Sequence, residues 1–369
     1  MLPILPQSPR RRPASGLDEV EHNYSSSQLM PMAADLSEDI LVQLAAAGLL
    51  TSDRAFAQPL TGGISSDIWL ITAGDKRFVV KRALAKLRVS SDWFADTCRN
   101  QTEREWLAYA ARVVPRNVPR IIYASAENDW FAMEFIGDQH VTWKSELLEG
   151  VARIETARMI GKVLGQLHAS SWGNTELAKQ FDTSANFREL RLAPYFITAA
   201  ERVPELAPMV LSSTEQLERT QLALVHGDFS PKNLLVTRDR VIVLDAEVAW
   251  FGDPAFDAAF LINHLLLKGL LHSSSRAKED IVGLVVDFWN AYAAALGKNA
   301  GAGLEARVVR LTLCLLLARV HGKSPVEYLS LGHGAHLTNF VRQELPRPPL
   351  ELTELSTRWL KHIRGYAKQ

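Results

Sequence analysis

The chain is poor in cysteine, in net charge and in long apolar runs. Among 369 residues there are two cysteines, Cys98 and Cys314. They form neither a metal nor a redox spacing, and they read as ordinary buried thiols of a reducing compartment. Lys and Arg number 41, as do Asp and Glu. No global charge excess therefore argues for nucleic acid or an anionic membrane as a partner. The apolar run from Leu311 to Ala318 is bounded by Arg310 and Arg319, too short to span a bilayer. The opening Met1-Leu2-Pro3-Ile4-Leu5-Pro6 is too short and too proline-broken for the apolar core of a signal peptide. A cytoplasmic, soluble chain is expected. Residues 1–34, rich in Pro, Ser and Arg, also lack apolar periodicity and are expected to be a disordered tail, with Arg10-Arg11-Arg12 a solvated charge run.

What is present is enough apolar sequence for one large or two moderate domains. Asp35-Leu36-Ser37-Glu38 reads as a capping box opening a helix whose Ile40, Leu41, Leu44 and Ala47 share a face. A β-rich segment follows. Thr61-Gly62-Gly63-Ile64-Ser65-Ser66-Asp67 is a turn entering a strand over Ile68 to Thr72, and Gly74-Asp75 turns back into a strand from Arg77 to Lys81. Alternation with buried Val80 points Lys81 into a cleft beneath the sheet. Asp96 to Ala111 reads as a helix offering Glu103 and Glu105 as partners for Lys81. The runs Val118 to Tyr123 and Trp130 to Ile136 complete the sheet. From Thr142 onward the pattern is mainly helical, with helices over 154–168, 187–195, 208–221, 256–268, 281–296, 304–320 and 352–363.

The stretch from Leu224 to Asp257 carries the chemistry. Strand-like runs at Leu222 to Val225, Leu234 to Val236 and Val241 to Leu244 alternate with polar loops that set Asp228, Asn233 and Asp245 at strand ends. A carboxylate, an amide five residues on and a second carboxylate twelve beyond make a phosphoryl-transfer set: one Asp to accept a hydroxyl proton, the Asn and the other Asp to hold magnesium over ATP phosphates. Glu247 adds an acid two residues after Asp245. Beyond the apolar helix, Arg319, His321 and Lys323 form a basic patch. Facing the cleft it suits an anionic or hydroxyl-rich substrate; otherwise it is a basic helix end.

The spacing is that of the protein-kinase catalytic loop, but the wording differs. His226-Gly227-Asp228, Asp245-Ala246-Glu247 and Gly252-Asp253-Pro254-Ala255-Phe256-Asp257 resemble the aminoglycoside phosphotransferase and choline kinase superfamily, with some resemblance to methylthioribose kinases. The resemblance covers roughly Asp53 to Lys268. It implies an α+β, bilobal protein-kinase-like fold: a β-rich nucleotide-binding lobe over 35–136 and a larger, mainly helical catalytic and substrate lobe over 137–369. It also implies ATP and Mg as cofactors and transfer of the γ-phosphate to a hydroxyl of a small molecule that is sugar-like, an amino alcohol or aminoglycoside-like. Asp228 is then the catalytic base, and Asn233, Asp245 and Glu247 the metal site. Gly62, Gly63 and Ser65 cover the phosphates, while Lys81 binds them, oriented by Glu103. Met133 lines the adenine pocket, and the backbone of Glu134 and Ile136 bonds the base. Asp257 ties the catalytic loop to the helix that follows it. The rivals are a nucleotide-binding scaffold without turnover and a protein kinase. Gly227 in place of the loop Arg and Asp-Ala-Glu in place of Asp-Phe-Gly speak against the latter.

Overall fold

The computed structural model describes residues 36–50, 55–60, 65–84, 99–125, 129–301, 303–364 and 366. The tail expected over 1–34, together with Gly62, Gly63 and Cys98, lies outside the described residues. Strands β1 (Ala55–Pro59), β2 (Ser66–Ala73), β3 (Lys76–Ala83), β4 (Ile121–Ala124) and β5 (Trp130–Glu134) form one antiparallel sheet in the order β1-β2-β3-β5-β4. Gly74, at φ 59°, makes the hairpin turn between β2 and β3.

Alternation along β3 divides its side chains between two cores. Phe78 and Val80 join Trp69, Ile71 and Trp130 in a small core closed by Ile40 and Leu44 of helix α1 (Glu38–Ala46). Val79 faces the other way, into the main core with Trp106 and Leu107 of α2 (Arg99–Val113). Lys81 shares the parity of Val79 and therefore faces α2. Asp35, the first residue of the capping box expected for α1, lies outside the described residues. Ser37 is the N-cap but makes no side-chain cap bond; its hydroxyl instead accepts from Arg82 Nη1 at 3.3 Å.

The remainder is mainly helical: α3 (Trp143–Leu148), α4 (Ile154–Ser171), α5 (Thr175–Gln180), α6 (Ser184–Phe187), α7 (Thr198–Arg202), α8 (Ala207–Arg219), α9 (Ala255–Leu271), α10 (Ser275–Leu296), α11 (Leu304–His321), α12 (Leu331–Glu344) and α13 (Leu352–Arg364). Set among them are two small antiparallel pairings. One joins β7 (Ala223–Val225) to β10 (Trp250–Gly252); the other orders β6 (Val141–Thr142), β8 (Leu234–Val236) and β9 (Val241–Val243) as β6-β8-β9. The three strand-like runs read from sequence are thus β7, β8 and β9.

The short helices α3, α5, α6 and α7 escaped the sequence, as did two further features. Arg188–Ile197, between α6 and α7, is wound as a π-helix and contains Pro194. A wide turn accommodates a proline that removes a backbone donor. Helix α12 was not expected, because Gly332, His333, Gly334 and His336 hide its period. It forms because Leu337, Phe340 and Val341 bury against the core and because Ser330 and His333 make a reciprocal capping box.

Helix α9 is buried from Ala255 through Leu270 and forms the axis of the helical part. α4 and α10 pack backbone to backbone through Gly161 and Gly165. A Cβ at Gly161 would lie 2.3 Å from the Phe288 carbonyl, and one at Gly165 2.6 Å from that of Tyr292. Gly161→Ala should therefore lower the unfolding free energy by about 1–3 kcal/mol through overpacking. Gly283→Ala in α10, where a Cβ meets nothing within 4 Å, should be neutral or stabilising by up to about 1 kcal/mol. Urea unfolding of both variants beside wild type checks this.

Candidate active site

The catalytic-loop candidate, residues 226–233, connects β7 to β8, and its backbone is held from α9. The amides of His226 and Gly227 donate to the Asp257 carboxylate at 2.7 and 2.9 Å. Asp257 is fully buried and also meets His168 Nε2 at 3.2 Å, while His168 Nδ1 meets the Tyr292 hydroxyl at 3.0 Å. Gly227 has φ 79°, and a Cβ there would lie 2.3 Å from the Val248 carbonyl. That close approach is why glycine stands at this position. The His226 ring stitches the loop to the next strand end: Nε2 donates to Leu244 O at 3.0 Å, and Nδ1 accepts from the Asp228 amide at 3.1 Å. Burial pushes its pKa down, so the neutral ring with its proton on Nε2 satisfies both bonds.

Asp228 is 5% exposed, yet it does not stand alone. Lys232 Nζ lies 2.9 Å and Arg191 Nη2 3.3 Å from Oδ2, which also accepts from Asn233 Nδ2 at 3.0 Å. Burial pushes the carboxyl up, but Lys232 and Arg191 hold it below the usual carboxylate range. Arg191 comes from the π-helical segment and also donates through Nε to Gly227 O at 2.6 Å. Neither Arg191 nor Lys232 was singled out from sequence. Lys232 sat inside the motif, next to Asn233; Arg191 carried no local signal, because its approach depends on the π-helix.

The second group joins the sheet to the loop region. Lys81 Nζ lies 2.6 Å from Glu103 Oε2 and 2.5 Å from Asp245 Oδ1. Glu103, not Glu105, is the acid the structure brings to Lys81; Glu105 accepts from Gln101 and Gln180 at 2.7 and 3.0 Å. Two carboxylates share one buried ammonium, and they diverge. Lys81 and Asp245 stabilise each other's charged forms, whereas burial pushes Glu103 up to about 7. Asp245 has φ 69°, the one positive φ outside glycine among the described residues. A non-glycine residue in that region costs about 1–3 kcal/mol and persists where its surroundings impose it.

Glu247 faces the same group: its charge acts on Lys81, Glu103 and Arg191. Arg99 Nε donates to Glu247 Oε2 at 3.2 Å, and Arg99 Nη2 donates to Ser65 O and Leu84 O at the two ends of the β2–β3 hairpin. Arg99, another residue not read from sequence, thus links the expected phosphate-covering turn to Glu247. For a divalent cation, the donor set fits at Asn233 and Asp245. The Asn233 Nδ2 is spent on Asp228 O and Oδ2, both at 3.0 Å, which assigns the amide oxygen to another partner. Asp245 is one-quarter exposed. Both offer the hard oxygens magnesium prefers. At the other edge Met133 is buried between β3 and β4, opposite Val79 and Ile121. The Glu134 amide donates to Arg120 O at 2.8 Å, and Ile136 is 9% exposed.

A profile described as the phosphotransferase enzyme family matches residues 57–279. The chain belongs to that family. Methylthioribose kinase of Yersinia pseudotuberculosis serotype O:1b is 25% identical over 225 residues, covering 53% of this chain and 54% of that protein. The Citrobacter koseri methylthioribose kinase is 27% identical over 255 residues, covering 60% and 64%. The chain thus spans about half the length of the curated relatives it matches first. In fold it is similar to Plasmodium vivax ethanolamine kinase, with a TM-score of 0.50 at 12% identity over 84% of this chain and 92% of that one. The protein-kinase-like architecture expected from the motifs is the one observed. No helix among the described residues is long and apolar enough to cross a membrane.

For this member of the family, Asp257 is the residue on which the loop backbone depends. Asp257→Ala strands two buried amides and a buried imidazole, and should cost about 3–5 kcal/mol of stability. Thermal and urea unfolding measure it, with the surface variant Glu176→Ala as an unaffected control.

Proposed function

We propose that the chain is an ATP- and magnesium-dependent kinase that moves the γ-phosphate to a hydroxyl of a small molecule. The observation that carries this reading is the convergence of Lys81 from the sheet, Glu103 from α2 and Asp245 from the end of β9 beside Asp228 and Asn233. Those are the positions that phosphoryl transfer to an alcohol demands. Residues 35–136 serve as the nucleotide lobe and 137–369 as the catalytic and acceptor lobe. Lys81, oriented by Glu103, receives the phosphates. Ser65 and the glycines before it cover them. The Glu134 carbonyl and the Ile136 amide meet adenine beside Met133, since the Glu134 amide is already taken.

Magnesium, when bound with ATP, neutralises charge on the β- and γ-phosphates; Asn233 and Asp245 would hold it, with Glu247 near. Asp228 orients the acceptor hydroxyl and takes its proton as the oxygen attacks. Its lowered pKa makes it a weak base, so its main contribution is to fix the hydroxyl in line, with proton transfer late in the reaction. Lys232 and Arg191 hold the carboxylate still and offset charge that builds nearby.

The test is ADP release from ATP and Mg with a panel of hydroxylated metabolites, run beside Asp228→Asn and Lys81→Met. Acceptor-dependent turnover should fall about 10²–10⁴-fold in Asp228→Asn with nucleotide affinity retained. Lys81→Met should weaken nucleotide use. Turnover that persists in Asp228→Asn overturns the assignment of the base. Mg-ATP binding without turnover on any acceptor favours a scaffold.

A further inference from the structure

Beyond the cations that hold Asp228 lie others, Lys268 and Arg319, that the transfer step does not use. Helix α9 sets Asp257, Phe260, His264 and Lys268 along one face, at intervals of three and four residues. Asp257 holds the catalytic loop, and Lys268 follows about 16 Å further along the axis. Phe260 carries the Arg191 guanidinium at 5.7 Å from its ring, and Arg191 lies 5.8 Å from the Tyr195 ring. Arg319 Nη1 donates to the Tyr195 hydroxyl at 3.0 Å, and its guanidinium lies 5.5 Å from the same ring. A continuous path of contacts therefore runs from Asp228 through Arg191 and Tyr195 to Arg319, and along α9 to His264 and Lys268.

The balance of charge on this path is unusual. Arg191 and Lys232 are paired with Asp228. Lys268 is 1% exposed, and its recorded side-chain partner is the Tyr328 hydroxyl at 3.4 Å, with the Tyr328 ring centroid at 5.2 Å. Among the described residues no carboxylate lies within ion-pair distance of Lys268 or Arg319. The acid that bears on both is Glu327, which is 68% exposed and already bridged to Lys144 Nζ at 2.5 Å. His264 is 8% exposed, and its Nδ1 is buried without a hydrogen-bond partner. Arg319 Nε is likewise buried and unpartnered. Besides burial, the strongest influences on the His264 ring are the cations Lys268, Arg319, Lys232 and Lys144. The expected basic patch is divided: His321 bonds Thr338 Oγ1 at 2.9 Å, Lys323 is exposed, and Arg319 reaches the buried Tyr195. Lys268 comes from another helix, α9.

A buried cation without a counter-ion is costly, and Lys268, fully buried beside the half-buried Arg319 and the unpartnered Nδ1 of His264, is arranged for an anion. We propose that the acceptor carries an anionic group, a carboxylate or a phosphate, which Arg319 and Lys268 bind while its hydroxyl is presented to Asp228. His264 completes the site as a polar partner through Nδ1, and Lys144 with Glu327 forms its solvent rim. The proposal rests on the kinase reading above and narrows its acceptor class: cationic amino alcohols and aminoglycosides are repelled here. Two effects of the same field agree with it. Burial together with Lys144 and Arg319 pulls Lys268 down to about 7, and the Tyr195 hydroxyl, although buried, is acidified by Arg319 and Arg191.

The experiment uses the full chain and two probes, gluconate for a hydroxylated carboxylate and glycerol 3-phosphate for a hydroxylated phosphate, with glycerol and ethanolamine as neutral and cationic controls. The first readout is the melting temperature without nucleotide, in wild type, Lys268→Met and Arg319→Gln. At least one anionic probe should raise it in wild type and neither control should. Each variant should fold and weaken the effect about tenfold or more in probe concentration, as loss of a charge-assisted contact does. Gluconate alone acting identifies a carboxylate site; glycerol 3-phosphate alone, a phosphate site. No shift with either anion, or a shift that survives both substitutions, overturns the proposal. The second readout is ADP release with the same compounds. An anion-induced shift lost in the variants, without turnover on any acceptor, leaves the anion site standing and removes the kinase reading. Turnover on a neutral or cationic acceptor with no anion effect does the reverse.

Discussion

Everything in the candidate site depends on one buried ammonium. Lys81 sits between Glu103 and Asp245 at 2.6 and 2.5 Å and is 2% exposed. Taking three charges out of water is expensive, and such sets commonly return little net stability. Their return is positional. Lys81 is carried by the sheet, Glu103 by α2 and Asp245 by the loop after β9, so the set has satisfied partners only when all three elements are docked. It holds Asp245 at a positive φ that an isolated chain avoids.

A second set of contacts does for the loop backbone what Lys81 does for the acids. Asp257 collects the amides of His226 and Gly227, Arg191 takes the Gly227 carbonyl, and His226 spans from the Asp228 amide to Leu244 O. These are loop atoms that regular secondary structure would have left unsatisfied. Their partners come from α9, the π-helical segment and the end of β9. A rigid scaffold thereby fixes a loop whose side chains remain available for chemistry.

The two halves of the site differ in electrostatic character. Around Lys81 acids predominate: Glu103, Asp245 and Glu247. Around Arg191, Arg319 and Lys268 cations predominate, and the neutral overall composition hides the separation. Equal totals of 41 and 41 describe the whole chain, whereas a site responds to the few charges that share its low-dielectric surroundings.

The sequence by itself determined the elements whose cause is local. Alternation set β3 and the facing of Lys81, helical periodicity marked α4, α9, α10 and α11, and the spacing of Asp228, Asn233 and Asp245 marked the strand-end loops that carry them. Only the tertiary structure decided what depends on residues far apart in the chain. It chose Glu103 over Glu105, because helix rotation relative to the sheet selects one of two nearby acids. It brought in Arg99 and Arg191, which have no motif, and wound a π-helix around Pro194. It formed α12 against a weak local pattern, because burying Leu337, Phe340 and Val341 outweighs poor propensity. It also divided the basic run, taking Arg319 to the Tyr195 hydroxyl and His321 to Thr338 of α12. Local spacing fixes which groups are offered; the packing of helices fixes which of them meet, because desolvation and pairing are properties of the assembled interior.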